Sequence, residues 1–265
     1  MLIPWGDRQC KRTEFAVKTA VCIACSFRLI NIEKDSSFYY NNNEEKTMIK
    51  CVLFDLDGTL FDDERLTVRS KVEAARKLGF DLTAEEIIAT FGYSSENSAK
   101  LFEAKFGPGF KYDKISNTQC GYVLNYIKKH GFPYKPFARD VVIDLRARGY
   151  IVGICTSSTR KTIDSYRQYG DLFDKVDFSI CGDEVVEGKP NPEVFLKGLQ
   201  KAGVTPCEAV AVEDSNHGVR AAVKANIHVV MVPDLAKPDP DLLANPLVAI
   251  KPDLPSAERF VLEYV

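Results

Sequence analysis

Apolar residues recur along this chain in two rhythms. Short, mostly apolar runs stand at Val52-Leu53-Phe54, Tyr150 to Cys155, Phe178 to Cys181, Ala209 to Val212 and Val229 to Val232. Runs this short, closed by glycine or polar turn residues, predict buried strands of a parallel sheet. Between them the apolar positions follow a helical period. That predicts helices over Asp140 to Arg148, Arg160 to Tyr169 and Asn216 to Ala225, and one capped by Asn191 with Pro192 at its first position. Strand and helix in alternation predict an α/β fold, a doubly wound parallel-sheet, Rossmann-like core with helices on both faces.

One stretch lacks strands. After Asp62, Val68, Val72, Ala75 and Leu78 fall at near-helical spacing before Gly79, a stop signal. Thr83-Ala84-Glu85-Glu86 has capping-box spacing and opens a second helix. Ala99, Leu101, Phe102 and Phe106 predict a third, ending near Gly107-Pro108-Gly109. Tyr122 to His130 predicts a fourth, closed by Gly131 and Pro133. Residues 63–137 therefore read as an all-helical domain inserted into a core made of 48–62 and 138–265.

Residues 1–47 supply no strand or motif to that core and read as an N-terminal extension. The apolar patch Ala16 to Phe27, interrupted by Lys18, is too short for a membrane helix. Glu44 and Glu45 sit just upstream of Met48, which begins Met-Ile-Lys-Cys-Val-Leu-Phe-Asp. Purine-rich glutamate codons there would suit a ribosome-binding sequence. A start at Met48 is the expectation, a genuine disordered tail the alternative, and the intact mass of the native protein the test. Cys22-Ile23-Ala24-Cys25 has CxxC spacing but no second CxxC and no nearby histidine, so it is read as structural.

Composition narrows the class. Formal charge is 35 − 37 = −2, and no strongly basic stretch favours nucleic acid. Five of the eight cysteines (Cys22, Cys25, Cys51, Cys155, Cys181) lie in or beside apolar runs, as reduced buried cysteine does. A cytoplasmic protein without nucleic-acid or membrane partners, and monomeric, is expected.

Each predicted strand ends on chemistry. Val52-Leu53-Phe54-Asp55-Leu56-Asp57-Gly58-Thr59-Leu60 places two carboxylates where open α/β sheets keep their reactive groups. Such a pair suits a hard divalent cation and a covalent phosphoryl acceptor. Cys155-Thr156-Ser157-Ser158 ends a strand on hydroxyls, which with nearby N–H groups can hold phosphate oxygens. Lys189, between Gly188 and Pro190, is a positioned ammonium. Glu213-Asp214-Ser215 ends a strand on adjacent carboxylates, and Gly218 on the following helix would permit close packing on the sheet.

In this order the four strings resemble the motif succession of the haloacid dehalogenase superfamily, from Met48 to about Val232. Within it they most resemble the β-phosphoglucomutase and sugar-phosphatase branch. The resemblance implies that residues 63–137 are an α-helical cap. It implies that Asp55 is the nucleophile, Asp57 the general acid and base, and Thr156, Lys189 and Ser157 or Ser158 the phosphate-binding groups. It implies Mg2+ held by Asp55, the Asp57 carbonyl and Asp214, with Glu213 nearby. Substrate choice is expected on Asp63 to Arg69 and Phe91 to Asn97. His217 is expected to pack or hydrogen-bond rather than bind metal.

β-Phosphoglucomutases carry a cap histidine and arginine that grip the sugar phosphate. Counted from the first motif, Thr67 and Ser95 stand in their places. The expectation is a Mg2+-dependent phosphatase acting on a small phosphorylated metabolite, a sugar or polyol phosphate, through an aspartyl phosphate. A phosphosugar mutase is the alternative, and a non-catalytic phosphate-binding protein a remote one.

Overall fold

A computed structural model describes residues 48–264. The expectations for the N-terminal extension, its apolar patch and Cys22–Cys25 fall outside these residues. The core is one six-stranded parallel sheet built from β1 (Cys51–Phe54), β2 (Ile151–Cys155), β3 (Phe178–Ile180), β4 (Ala209–Glu213), β5 (His228–Met231) and β6 (Val248–Ile250). Its strand order is β3-β2-β1-β4-β5-β6, the doubly wound order whose direction reverses between β1 and β4. Cys51 pairs with Ile151 on one side and Ala209 on the other, so β1 is central. All four β1 residues are buried, as a strand covered on both faces demands.

Helices α5 (Ala138–Ala147), α6 (Arg160–Arg167), α7 (Glu193–Ala202), α8 (Asn216–Lys224), the short α9 (Pro240–Leu243) and α10 (Leu254–Glu263) complete this layer. Two apolar clusters form, divided by strand alternation. Val52 and Phe54 join one with Val142, Leu145 and Val261, while Cys51 and Leu53 join the other with Phe195, Val219 and Ala222. Cys51, Cys155 and Cys181 are buried and free. Among the described residues no helix is long and apolar enough to cross a membrane.

Between β1 and α5 lie α1 (Glu64–Lys77), α2 (Ala84–Ile88), α3 (Ser95–Phe106) and α4 (Tyr112–His130). The Thr83 capping box forms as expected, with its hydroxyl accepting from the Glu86 N–H. These helices hold their own cluster of Ala75, Ile87, Phe102, Phe110 and Ile115. The chain leaves and re-enters the core side by side: the Asp62 N–H donates to the Pro133 carbonyl (2.8 Å) and the Lys135 N–H to the Leu60 carbonyl (3.0 Å).

Several boundaries differ from the sequence reading. Helix α4 begins ten residues before Tyr122, at Tyr112. Its first half carries Ser116, Asn117, Thr118 and Gly121, poor helix formers that packing of Tyr112, Ile115 and Gln119 overrides. Helix α7 starts at Glu193, with Pro192 in the cap position, while the Asn191 side chain accepts from the Glu193 N–H at 3.0 Å. Strand β6 and helices α9 and α10 were not anticipated.

Candidate active site

The carboxyl ends of β1 and β4 meet at the point where the strand order reverses, the expected place for a ligand site in such a sheet. Asp55 follows β1 directly, and its N–H donates to the Val212 carbonyl at 2.9 Å. Glu213 ends β4 and Asp214 follows. Lys189 reaches in from the loop before α7. Its Nζ donates to Asp55 Oδ1 (2.5 Å), Glu213 Oε1 (2.5 Å) and the Cys155 carbonyl (2.9 Å), and the residue is only 1% exposed. Lys189 thus sits beneath the carboxylates as their counterion.

The remaining bonds lock these groups in place. Glu213 Oε2 accepts from Ser215 Oγ (3.1 Å) and from the Asp214 N–H (3.2 Å). Thr59 Oγ1 donates to Asp214 Oδ1 at 2.8 Å. Gly58 has φ near +85°, and a side chain there would collide with the Asp214 carboxylate, so glycine is required twice over. Gly218 also proves specific: a Cβ on it would run into the Glu213 carboxylate. Its value is thus close approach to a site residue rather than to the sheet.

Asp57 stands slightly outside this knot. It accepts from Ser158 Oγ (2.6 Å) and Thr156 Oγ1 (3.4 Å). The Thr156 hydroxyl also accepts from the Ser158 N–H at 3.0 Å. Ser157 turns the other way and donates to the Gly92 carbonyl of the helical insertion (2.9 Å). The backbone carbonyl of Lys189 accepts from Asn97 Nδ2 at 3.2 Å. The structure therefore gathers Asp55, Asp57, Thr156, Ser158, Lys189, Glu213 and Asp214 at one sheet edge, with Ser157 at the seam to the insertion.

Charge explains the chemistry available. Burial works against the Lys189 ammonium, but Asp55 and Glu213 outweigh it and hold its proton more tightly than in water. Burial pushes the Asp55 carboxyl up, and Lys189 pulls it back. Burial likewise raises Asp57, against the Ser158 hydrogen bond, and raises Asp214, with Glu64 and Glu213 adding to it. One buried cation among so many acids leaves negative charge uncompensated. Asp55, Glu213 and Asp214 each offer an oxygen within 4.8 Å of the others. An all-oxygen, anionic donor set of this kind fits a hard divalent cation such as Mg2+.

A cavity of about 430 Å3 opens above Asp55 and Asp57, between the sheet edge and helices α1, α3 and α4. Asp63, Thr67 and Lys71 of the α1 segment line it, as do Ser95, Gln119 and Tyr166. The segments expected to govern substrate choice contribute Asp63, Glu64, Thr67, Phe91, Gly92, Tyr93 and Ser95. Sequence reasoning missed Lys71 and Gln119. Lys71 continues the Asp63, Thr67 spacing by one more turn, and Gln119 is a polar residue within the buried stripe of α4. His217 packs and hydrogen-bonds as expected, bonding the Ala89 carbonyl through Nε2 (3.2 Å) and stacking on Tyr93 with ring centroids 3.7 Å apart, and by those contacts it joins the core to the insertion.

The family model of haloacid dehalogenase-like hydrolases matches residues 52–232. The chain belongs to this family. Protein CbbY of Rhodobacter capsulatus is 30% identical over 231 residues, covering 78% of this chain and 99% of the relative. Hexitol phosphatase B of Escherichia coli K12 is 27% identical over 189 residues, covering 70% of this chain and 84% of that protein. A β-phosphoglucomutase from Clostridium difficile superposes with a TM-score of 0.66 at 22% identity, over 82% of this chain and 99% of that one. CbbY from Rhodobacter sphaeroides, solved with phosphate, gives 0.60 at 24% identity over 71% and 88%. At these identities the superpositions speak to the fold, which they share with this member of the family.

Proposed function

We propose that this chain is a phosphatase that removes the phosphoryl group from a small sugar or polyol phosphate through an aspartyl phosphate on Asp55. The observation that carries the proposal is the pairing of two different carboxyls. Both border the cavity, but Asp55 is fixed at the strand end by a buried ammonium whereas Asp57 is held by hydroxyls.

The chemistry divides between them. An Asp55 oxygen attacks phosphorus as the bond to the leaving oxygen breaks. Asp57, whose carboxyl burial biases toward holding a proton, gives that proton to the leaving oxygen. It then takes one from a water whose oxygen attacks phosphorus as the bond from phosphorus to the Asp55 oxygen breaks, which frees Asp55 and inorganic phosphate. Ser158 and Thr156 orient Asp57, and Lys189 restrains Asp55 and neutralises charge around it. Asp55, the Asp57 carbonyl and Asp214 would hold Mg2+, with Glu213 behind them. The bound ion supplies charge neutralisation that lets an anionic nucleophile approach an anionic phosphate. Helices α1–α4, residues 63–137, act as the cap that excludes bulk water and contacts the leaving group.

The mutase alternative needs cap groups for a second phosphate. Thr67 and Ser95, counted into the places of that histidine and arginine, both line the cavity. The Thr67 hydroxyl is already donated to Asp63 (2.9 Å), and no histidine or arginine occurs among the lining residues. A metabolite panel assayed for inorganic phosphate, with Mg2+ and with chelator, tests the proposal. Metal-dependent release from sugar or polyol monophosphates is expected. Release unaffected by chelator, or none from any substrate, would contradict it.

A further inference from the structure

Asn97 stands in the segment expected to govern substrate choice, yet it forms no part of the cavity wall, to which its neighbours Ser95 and Ser98 contribute. Its side chain is spent elsewhere. Nδ2 donates to the Lys189 carbonyl at 3.2 Å, across the seam between the helical insertion and the core. Beside that bond, Ser94 lies so close to Gly188 that a Cβ on the glycine would run into the Ser94 side chain. Ser94 caps α3, its hydroxyl accepting from the Asn97 N–H at 3.2 Å. The first turn of α3 is thus seated directly on the Gly188–Lys189 peptide.

The core braces the same stretch from its own side. Glu193 Oε2 accepts from the N–H groups of Val186 and Glu187 (2.9 and 3.0 Å), and the Gly188 carbonyl accepts from the Asn191 N–H (3.1 Å). These bonds fix the residues before and after Lys189, and Asn97 supplies the bond to the Lys189 carbonyl itself. Lysine has a long flexible stem, so the resting place of its ammonium depends on where its backbone is held. Here the ammonium has to meet Asp55 and Glu213 at once.

We propose that Asn97 is a positioning residue for transfer to Asp55: a side chain of the helical insertion that fixes the Lys189 backbone and so sets the ammonium between Asp55 and Glu213. The inference rests on the phosphatase reading and adds a control on its site, because it makes the charge arrangement at the nucleophile depend on the seating of α3. Two other roles predict different kinetics. A residue that touches substrate is felt in KM, and one that merely stabilises the insertion is felt in the stability of the whole block. Displacement of Lys189 is felt in kcat, since the ammonium acts on the nucleophile.

The test is Asn97→Leu, which keeps the branched shape and loses the donor. Thr83→Ala is the control, since it removes the capping box of α2 and leaves the seam contacts in place. With p-nitrophenyl phosphate and Mg2+, kcat of Asn97→Leu is expected to fall about tenfold, the scale of one hydrogen bond, with KM within about threefold of wild type. The control should keep the wild-type kcat. Amide hydrogen exchange on the substrate-free protein gives a reading that does not depend on turnover. In Asn97→Leu the amides of Val186, Glu187 and Asn191 should exchange about tenfold faster, while those of β1 and β4 stay as in wild type. An unchanged kcat, a loss carried by KM, exchange that rises across the whole core, or a control that loses kcat as much as Asn97→Leu would overturn the assignment. If wild type does not turn over p-nitrophenyl phosphate, the phosphatase reading fails, and exchange at those three amides alone decides whether Asn97 holds the Lys189 backbone.

Discussion

Lys189 is the residue on which the site depends most. A buried ion pair returns little net stability over a well-packed apolar pair, but removing one partner strands the others. Lys189→Met leaves Asp55 and Glu213 facing each other with no counterion. The expected loss is about 3–5 kcal/mol, the range for a broken buried pair, measured by urea unfolding, together with loss of turnover. Asp55, Asp57, Lys189, Glu213 and Asp214 were legible because each follows an apolar run or a rigid turn within a recognisable string. Thr59, Lys71 and Gln119 were not. Their roles come from partners 155, 41 and 52 positions away in the chain, which no local pattern encodes.

At the scale of elements, the seating of α8 against the end of β4 decides the geometry of Glu213. Gly218→Ala would push the Glu213 carboxylate from Lys189 and Ser215 without touching substrate. Misplacement of that kind costs about a hundredfold in rate, so kcat is expected to fall by that order while the chain still folds. Steady-state kinetics beside a melting curve checks this.

A second element contact predicts pH dependence. Glu258 of α10 lies beside Asp144 of α5, its Oε1 lacks a hydrogen-bond donor, and burial together with Asp144 pushes its carboxyl from 4.5 to about 7. The folded state then holds the proton more tightly than the unfolded chain. Its contribution is present at low pH and is lost as pH rises from 4.5 through about 7. Glu258→Gln should remove that loss, so its melting temperature should gain on wild type between about pH 5 and about pH 8. A constant offset across that range would contradict the assignment.

Elements with strong periods were read correctly, including all strands from β1 to β5 and the capping box of α2. Strand β6 has only three residues at an edge, and its apolar run, Leu247 to Ile250, is only partly buried. Helix α4 was truncated because its first half has polar, low-propensity residues that only the tertiary contacts hold helical.

For the whole molecule, α/β alternation interrupted by one helical block made the architecture legible, and the paired linkers at Asp62–Pro133 and Leu60–Lys135 show how the block is joined. The seam between block and core was not legible, since the Gly92–Ser157, Asn97–Lys189 and Tyr93–His217 contacts join distant segments. The cavity above Asp55 and Asp57 lies in that seam, so its lining emerged only from the assembled fold.

On the proposed mechanism a phosphoryl group moves to Asp55 and then to water. Rapid-quench analysis with glucitol 6-phosphate labelled in its phosphoryl group tests this directly, with Asp55→Asn as the control. Label should pass through protein-bound phosphate and appear as inorganic phosphate, one for each substrate consumed, in the presence of Mg2+, and the Asn variant should show neither. A protein-bound phosphate that persists in water and discharges only onto a second phosphosugar, or undiminished release by Asp55→Asn, would contradict the account.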